Sequence, residues 1–360
     1  MKMATSRNLD LLALLQGMAA AQASDLHLVP GHPPMYRVHG ELKPAAECAI
    51  PSGSVLSLLE SVAPEETRQS PGARTDVDFA LAPPGREHPL RFRVNVFSAR
   101  GDHGACFRAI PEHIPSLGEL GFPAELAERV TAYKSGLVLL TGITGSGKTT
   151  SLAALIQIIN SRGGCRIITV EEPIEYVYPI CAASVVTQRE VGRDVASFYD
   201  GLRFGLRQDP DVILVGEIRD RETAQLALSA AETGHLIFAT LHTADAKGAV
   251  TRLVDLFPPE QHDDIRTQLS LSLRCVIAQH LLPATEGGRR VLATEVMTAN
   301  FPVRSAIRMG KIESLDSAMQ SGRKDGMWSL DADLRRLMME GRISIETARD
   351  YAKDPSEFGK

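Results

Sequence analysis

Apolar residues along this chain follow two different rhythms. Up to about residue 110 they come in short alternating stretches. Beyond about residue 118 they come in unbroken runs separated by helix-length segments. In the first part, Leu9, Leu12 and Leu15 recur at helical spacing and predict an amphipathic helix over 8–22. Residues 25–29 read as a strand, Pro30, Gly31, Pro33 and Pro34 as a turn, and 35–40 as a second, alternating strand. A helix is expected over 52–63 and strands over 79–81, 91–97 and 106–110, with breaker-rich loops at 82–89 and 98–104. Pro111 and Pro115 then mark a connector. The expectation is a small α+β domain over 1–110 and a linker over 111–120.

Residues 121–360 read as a second domain. The runs at 137–141, 166–170, 212–215 and 236–240 are continuous and apolar, as in strands buried on both sheet faces. Helix-length segments between them imply a parallel sheet of α/β type. Residues 260–282 and 301–350 read as helical, with one strand at 290–297 between them.

Composition narrows the function classes. A length of 360 residues suits two domains. Lys plus Arg is 39 against 44 Asp plus Glu, a net charge of −5, which gives no support to a bulk nucleic-acid binder. No apolar run approaches the roughly 18 residues of a membrane span. Cys48, Cys106, Cys165, Cys181 and Cys275 are odd in number and form no C-x-x-C pair. That excludes a disulfide framework and a four-cysteine zinc site, and fits reduced thiols in the cytoplasm. Lys2 and Arg7 ahead of an apolar stretch ending in Ala21-Gln22-Ala23 imitate a signal peptide, but Asp10 and Gln16 interrupt that stretch.

The strongest chemical signal is Gly142-Ile143-Thr144-Gly145-Ser146-Gly147-Lys148-Thr149, followed by Thr150 and a helix-competent run. It fits G-x-x-x-x-G-K-[ST] in its required strand–loop–helix setting. The glycines let backbone N–H groups turn toward phosphate oxygens, and a helix N-terminus adds its positive dipole end. Lys148 can reach the β- and γ-phosphates, and the Thr149 hydroxyl can ligate Mg²⁺. The apolar strand at 212–215 leads through Gly216 to Glu217, a carboxylate at the ligand-binding edge of a parallel sheet, where it can deprotonate an attacking water. Glu171, Glu172 and Glu175 crowd the end of another strand and call for a nearby cation, such as nucleotide-bound Mg²⁺ or an arginine. His235 and His242 bracket the strand at 236–240 and both face the nucleotide edge only if the flanking turns curl back. Taken alone, the acidic cluster also fits a solvated loop and the histidines fit satisfied structural residues.

These elements together resemble the four boxes of the secretion-type ATPases: Walker A at 142–149, Asp box at 171–175, Walker B at 208–220 and His box at 233–243. The segments 23–28, 92–95, 188–191 and 302–308 further resemble the type IV pilus retraction, or twitching-motility, subgroup. The resemblance covers essentially the whole chain, the imitation cleavage site included. It implies a PAS-like N-terminal domain and a RecA-like P-loop NTPase domain with a C-terminal helical portion. It implies ATP and Mg²⁺, a homohexamer, an inner-membrane pilus platform protein as partner, a paralogous pilus ATPase as a further one, and no nucleic acid. The chain is then cytoplasmic, held at the inner face of the membrane through its partner. Carried over residue by residue, Lys148, Glu217 and Glu175 are catalytic, and Thr149 and Glu171 serve the metal. Gly142, Thr144, Gly145, Ser146, Gly147, Thr149 and Thr150 cradle phosphate. His235 and His242 sense the γ-phosphate, and Arg93 and Arg108 are the candidates to complete the site.

Three positions depart from the family pattern: Ile143 for Pro, Glu172 for Asp, and Met309 for the acid that usually closes the retraction motif. Arg304 and Arg308 keep the motif's two arginines at i, i+4 spacing, on one helix face, with Glu313 the candidate carboxylate for them. Assembly-type motors carry a long extra N-terminal domain and a four-cysteine element, for which this sequence leaves no room. Pilus assembly or type II secretion is the runner-up reading. A RecA-like nucleic-acid translocase is disfavoured by the charge and by an aromatic content of only 5%, and a silent scaffold by the intact Lys148, Thr149 and Glu217.

Overall fold

The computed structural model describes residues 9–38, 40–60, 76–83, 90–110, 113–285 and 290–359. They form two compact units: one of residues 1–113 with Pro173–Val177, the other of Ile114–Glu172 with Tyr178–Lys360.

The first unit opens with α1 (Leu11–Ala20), whose start is set by Asp10: its carboxylate accepts from the backbone N–H of Leu12 at 2.9 Å. The residue that breaks the apolar stretch in sequence is therefore the helix cap. The remaining elements are β1 (Ala23–Leu28), β2 (Met35–Val38), β3 (Glu41–Pro44), α2 (Ser54–Glu60), β4 (Val77–Leu81), β5 (Arg91–Ala99) and β6 (Asp102–Ile110). The strands form one antiparallel sheet in the order β3-β2-β1-β6-β5-β4. Leu11, Leu15, Leu26, Phe92, Val94 and Phe107 fill its core. Strand β3 was not expected, because all four of its residues are exposed and no alternation marks it. The loop expected over 98–104 is instead a hairpin. Ala99 pairs with Asp102 across Arg100 and Gly101, both at positive φ (55° and 81°), the geometry of a two-residue turn that continues the strand twist. The expected start at residue 8, His39, residues 61–63, most of the 82–89 loop and Pro111 lie outside the described residues.

The second unit begins with α3 (Leu117–Leu120), started by a Ser116–Glu119 capping box, and α4 (Ala124–Ala132). Then come β7 (Gly136–Thr141), α5 (Lys148–Arg162), β8 (Cys165–Glu171), β9 (Ser184–Glu190), α6 (Phe198–Gly205), β10 (Val212–Val215), α7 (Arg221–Glu232), β11 (Leu236–Leu241), α8 (Ala246–Val254), α9 (His262–Ser272), β12 (Leu273–Pro283) and β13 (Arg290–Thr298). Helices α10 (Phe301–Arg308), α11 (Ser314–Ser321), α12 (Leu330–Met339) and α13 (Ile345–Tyr351) close the chain. The sheet order is β13-β12-β7-β11-β10-β8-β9, parallel except for β13 against β12.

Strand β7 shows why the runs are continuous. Leu137 and Leu139 face a core shared with α6 to α9, while Val138 and Leu140 face one shared with α4 and α5. Both faces are covered, so every position is apolar, and each fully buried Leu or Val contributes about 1.5–3 kcal/mol. Residues 273–282, expected to be helical, form β12 instead. An apolar run of that length fits a buried helix and a buried strand equally, and its place between β7 and β13 decides for the strand. Strand β9 was likewise not foreseen, because its residues are mixed and half-buried. Among the described residues, no helix is long and apolar enough to cross a membrane.

Candidate functional site

The phosphate cradle joins the end of β7 to the start of α5. Gly142 sits at φ 144°, and a Cβ there would lie 2.5 Å from the Gln279 carbonyl oxygen and from Ser146 Oγ, so only glycine fits. Gly147 takes a left-handed conformation (φ 87°) at the N-cap of α5. The turn is closed by the Ser146 N–H donating to the Ile143 carbonyl at 3.1 Å, and the helix begins with the Ser151 N–H donating to the Gly147 carbonyl at 3.0 Å. Ser146 Oγ is buried without a hydrogen-bond partner among the described residues. Thr144 and Gly145 line the exposed rim, and Thr149 and Thr150 occupy the half-buried first turn of α5. The Lys148 ammonium is buried and donates to the carbonyls of Gly142 (2.7 Å) and Ile143 (3.1 Å). Burial pushes its pKa below the ordinary lysine value, and the charge of Glu217 opposes that push.

Glu217 follows β10. Its strand end is fixed by the Gly216 N–H donating to Val170 O at 2.7 Å, by Thr240 Oγ1 donating to Gly216 O at 2.5 Å, and by the Ile218 N–H donating to Thr240 O at 3.1 Å. One carboxylate oxygen of Glu217 meets Arg219 Nε at 2.8 Å and His242 Nε2 at 3.2 Å. Arg219 also pairs with Glu172 at 2.7 Å, and its guanidinium lies over the Phe198 ring; burial pulls its pKa down, but Glu217 first and Glu172 second more than reverse this and raise it. Arg219 is therefore the cation for one of the crowded carboxylates, Glu172. The sequence pattern marks no role for it, although it stands only two residues after Glu217.

The two histidines part company. Strands β11 and β7 run parallel from Leu236 beside Gly136 to Leu241 beside Thr141. His242 thus follows β11 at the cradle's edge, while His235 precedes it at the opposite edge, roughly 20 Å away for six residues of strand. The His235 ring nitrogen lies 3.1 Å from the Ala230 carbonyl. Within one chain His235 does not reach the cradle, because the flanking turns do not curl back.

Glu171 does not fit a metal ligand. It ends β8, separated from β7 by β10 and β11, which puts it roughly 14 Å from the cradle strand. Its carboxylate is buried and accepts from Thr169 Oγ1 at 2.5 Å and Gln188 Nε2 at 3.2 Å. Among the described residues no group of three or more His, Cys, Asp or Glu side chains could hold a metal ion. The Thr149 hydroxyl does fit Mg²⁺, an ion that keeps several waters and takes few protein ligands beside nucleotide phosphates.

Glu175 lies on Pro173–Val177, within the first unit. Arg93 and Arg108 are directly opposed on β5 and β6 of that unit. Arg108 pairs with the buried Asp25 at 2.9 Å and Arg93 with Asp78 at 3.9 Å. The pairing expected between Arg304 or Arg308 and Glu313 is absent. Glu313 lies 3.8 Å from Lys247, which binds Asp316 more closely at 3.0 Å, because the turn after α10 carries Glu313 toward α8.

Comparison with known proteins bears on the whole chain. The type IV pilus retraction ATPase PilT of Pseudomonas aeruginosa is 43% identical over 350 residues, covering 97% of this chain and 100% of that protein. A twitching motility protein of Neisseria gonorrhoeae is 42% identical over 321 residues, covering 89% of this chain and 84% of its own length. The crystal structure of the pilus retraction motor PilT with bound ADP superposes with a TM-score of 0.88 at 42% identity, covering 97% of this chain and 99% of that one. The profile of the type II/IV secretion system proteins matches residues 7–349, and the chain, with its N-terminal domain and P-loop ATPase domain, belongs to that family.

Proposed function

We propose that this protein is a ring-forming ATPase that hydrolyses ATP to ADP and phosphate and uses the energy to retract a type IV pilus. One observation carries the reading. Glu217, held by Arg219 and His242, stands at the same sheet edge as the cradle lysine, in a chain matched end to end by a retraction ATPase. In this reading the 142–147 backbone and the α5 N-terminus bind the β- and γ-phosphates. The Lys148 ammonium turns from the cradle carbonyls to the phosphate charge. Glu217 takes the proton of the attacking water while Arg219 fixes its carboxylate, and His242 reports whether the γ-phosphate is present. Thr149 holds Mg²⁺, which supplies charge neutralisation for the phosphates when bound. His235 serves a contact other than its own chain's cradle. Arg304 and Arg308, with no side-chain hydrogen bond or ion pair among the described residues, are available to a neighbouring subunit or to the membrane platform protein. A paralogous pilus ATPase is a second partner, and the protein works at the cytoplasmic face of the inner membrane.

Direction is tested in the host. Deleting the gene leaves cells that carry surface pili and do not twitch; cells without surface pili would make this an assembly motor. The cysteine spacing supports retraction, since no C-x-x-C pair exists for an assembly-type metal element. Assembly into a ring is tested in solution. Specific ATPase activity rises with protein concentration until oligomers form, and full activity from a species shown by light scattering to be monomeric overturns the ring.

A further inference from the structure

Lys353, just beyond α13, reaches back to two carboxylates remote in sequence. Its Nζ lies 2.8 Å from Glu295 Oε2 and 3.3 Å from Asp245 Oδ2. Glu295, on β13, is fully buried. Its other oxygen accepts from the Ala246 N–H at 2.9 Å, and Asp245 Oδ1 accepts from the Gly248 N–H at 2.7 Å. One ammonium therefore bridges two carboxylates that both cap the start of α8. Burial lowers the pKa of Lys353, and the charges of Glu295 and Asp245 more than reverse this, so it stays an ammonium. Its own position is fixed from behind: the backbone N–H groups of Lys353 and Asp354 donate to the two oxygens of Asp331 on α12, at 2.8 and 3.1 Å.

The start of α8 is the far end of the short loop that carries His242. The near end is tied to β7. The Thr243 N–H donates to Thr141 Oγ1 at 2.9 Å, and the Thr141 hydroxyl lies 2.6 Å from the Thr243 carbonyl, one residue before the cradle begins. In the middle, His280 Nε2 lies 3.1 Å from the Ala244 carbonyl. The four-residue loop 242–245 is thus tied to the cradle strand at Thr243 and to the C-terminal segment at Asp245, with His242, next to the first tie, against Glu217.

We propose that Lys353 is a positioning residue: by locking Asp245 and Glu295 onto the start of α8, it holds the loop so that His242 stands against Glu217. Hydrolysis then depends on the C-terminal segment being docked, although that segment carries none of the residues assigned to the nucleotide. The inference rests on the reading of Glu217 and His242 as hydrolytic residues.

The test compares wild type with Lys353→Met, Lys353→Arg and Asp245→Asn in the full-length protein, measuring kcat and KM for ATP, affinity for a fluorescent ADP, and melting temperature. Asp245→Asn is the variant that spares the fold, because the amide oxygen still caps α8 while the charge facing Lys353 is gone. Misplacing a group near the reacting centre costs up to about 100-fold. Lys353→Met and Asp245→Asn are expected to lower kcat by about 10- to 100-fold, with KM and ADP affinity within about twofold of wild type. Lys353→Arg restores most of kcat. A wild-type kcat in Asp245→Asn, or parallel losses of kcat, ADP affinity and melting temperature in that variant, overturns the positioning role. Wild-type protein without ATPase activity overturns the underlying reading first, and this inference with it.

Discussion

Lys148→Ala is expected to abolish ATP turnover and to weaken nucleotide binding by about 10- to 100-fold. The magnitude follows from what the side chain supplies. A charge-assisted hydrogen bond contributes roughly 1.5–3 kcal/mol, and each 1.4 kcal/mol is a factor of about ten in affinity. In the structure the ammonium is buried against the carbonyls of Gly142 and Ile143, within the cradle itself. It is poised where phosphate oxygens would accept from it, and no second lysine stands in this loop. Within the loop, its loss leaves the phosphates to the backbone N–H groups and the dipole end of α5. Removing it also leaves two carbonyls without their donor, so a change in melting temperature is measured alongside. Titration of a fluorescent ATP analogue reads the binding loss, and phosphate release reads the turnover. Near-normal turnover in a folded Lys148→Ala protein would remove the cradle from the mechanism.

The cradle could be read from sequence because its chemistry is local. Glycines at fixed spacing, a lysine and a threonine between an apolar strand and a helix carry their meaning within eight residues. The buried parallel strands were legible for a similar reason, since continuous apolar runs such as those of β7 and β11 have few alternatives. What sequence concealed depends on which strand lies beside which. Strand β12 reads as helix in the sequence because its apolar run acquires its identity from pairing with β7 and β13. Glu171 looked like a metal ligand beside the cradle until the strand order put β10 and β11 between them. His235 and His242 looked like a pair until the register of β11 on β7 sent them to opposite edges. Arg219 and Lys353 carry no mark in the sequence for the same cause: each meets carboxylates that only the fold brings to it, Glu172 for one and Asp245 and Glu295 for the other.

Glu217→Gln separates binding from chemistry more sharply than any change in the cradle. The substitution keeps the size of the side chain and one acceptor oxygen. It removes the only basic oxygen pair at the end of β10. General-base catalysis is worth about 10²–10⁴-fold, so kcat is expected to fall by at least about 100-fold. Nucleotide affinity should change little near neutral pH, because Lys148 and the backbone of the cradle are untouched. The surroundings tolerate the loss of charge: Arg219 keeps Glu172 as its partner, so no guanidinium is left alone. One further consequence distinguishes this residue from a simple proton acceptor. The charge of Glu217 partly offsets the lowering of the Lys148 pKa by burial. With glutamine there, that opposing influence disappears and the Lys148 pKa falls further. The variant should therefore lose nucleotide affinity at a lower alkaline pH than wild type does, since the ammonium that binds phosphate deprotonates earlier. Affinity for a fluorescent ATP analogue, measured from neutral to alkaline pH in both proteins, reads this shift directly. If turnover and neutral-pH affinity fall together, Glu217 serves as the anchor of Arg219 and His242 and not as the base. If turnover falls alone and the alkaline limb of binding stays where it was, the base is right but the coupling between Glu217 and Lys148 is not.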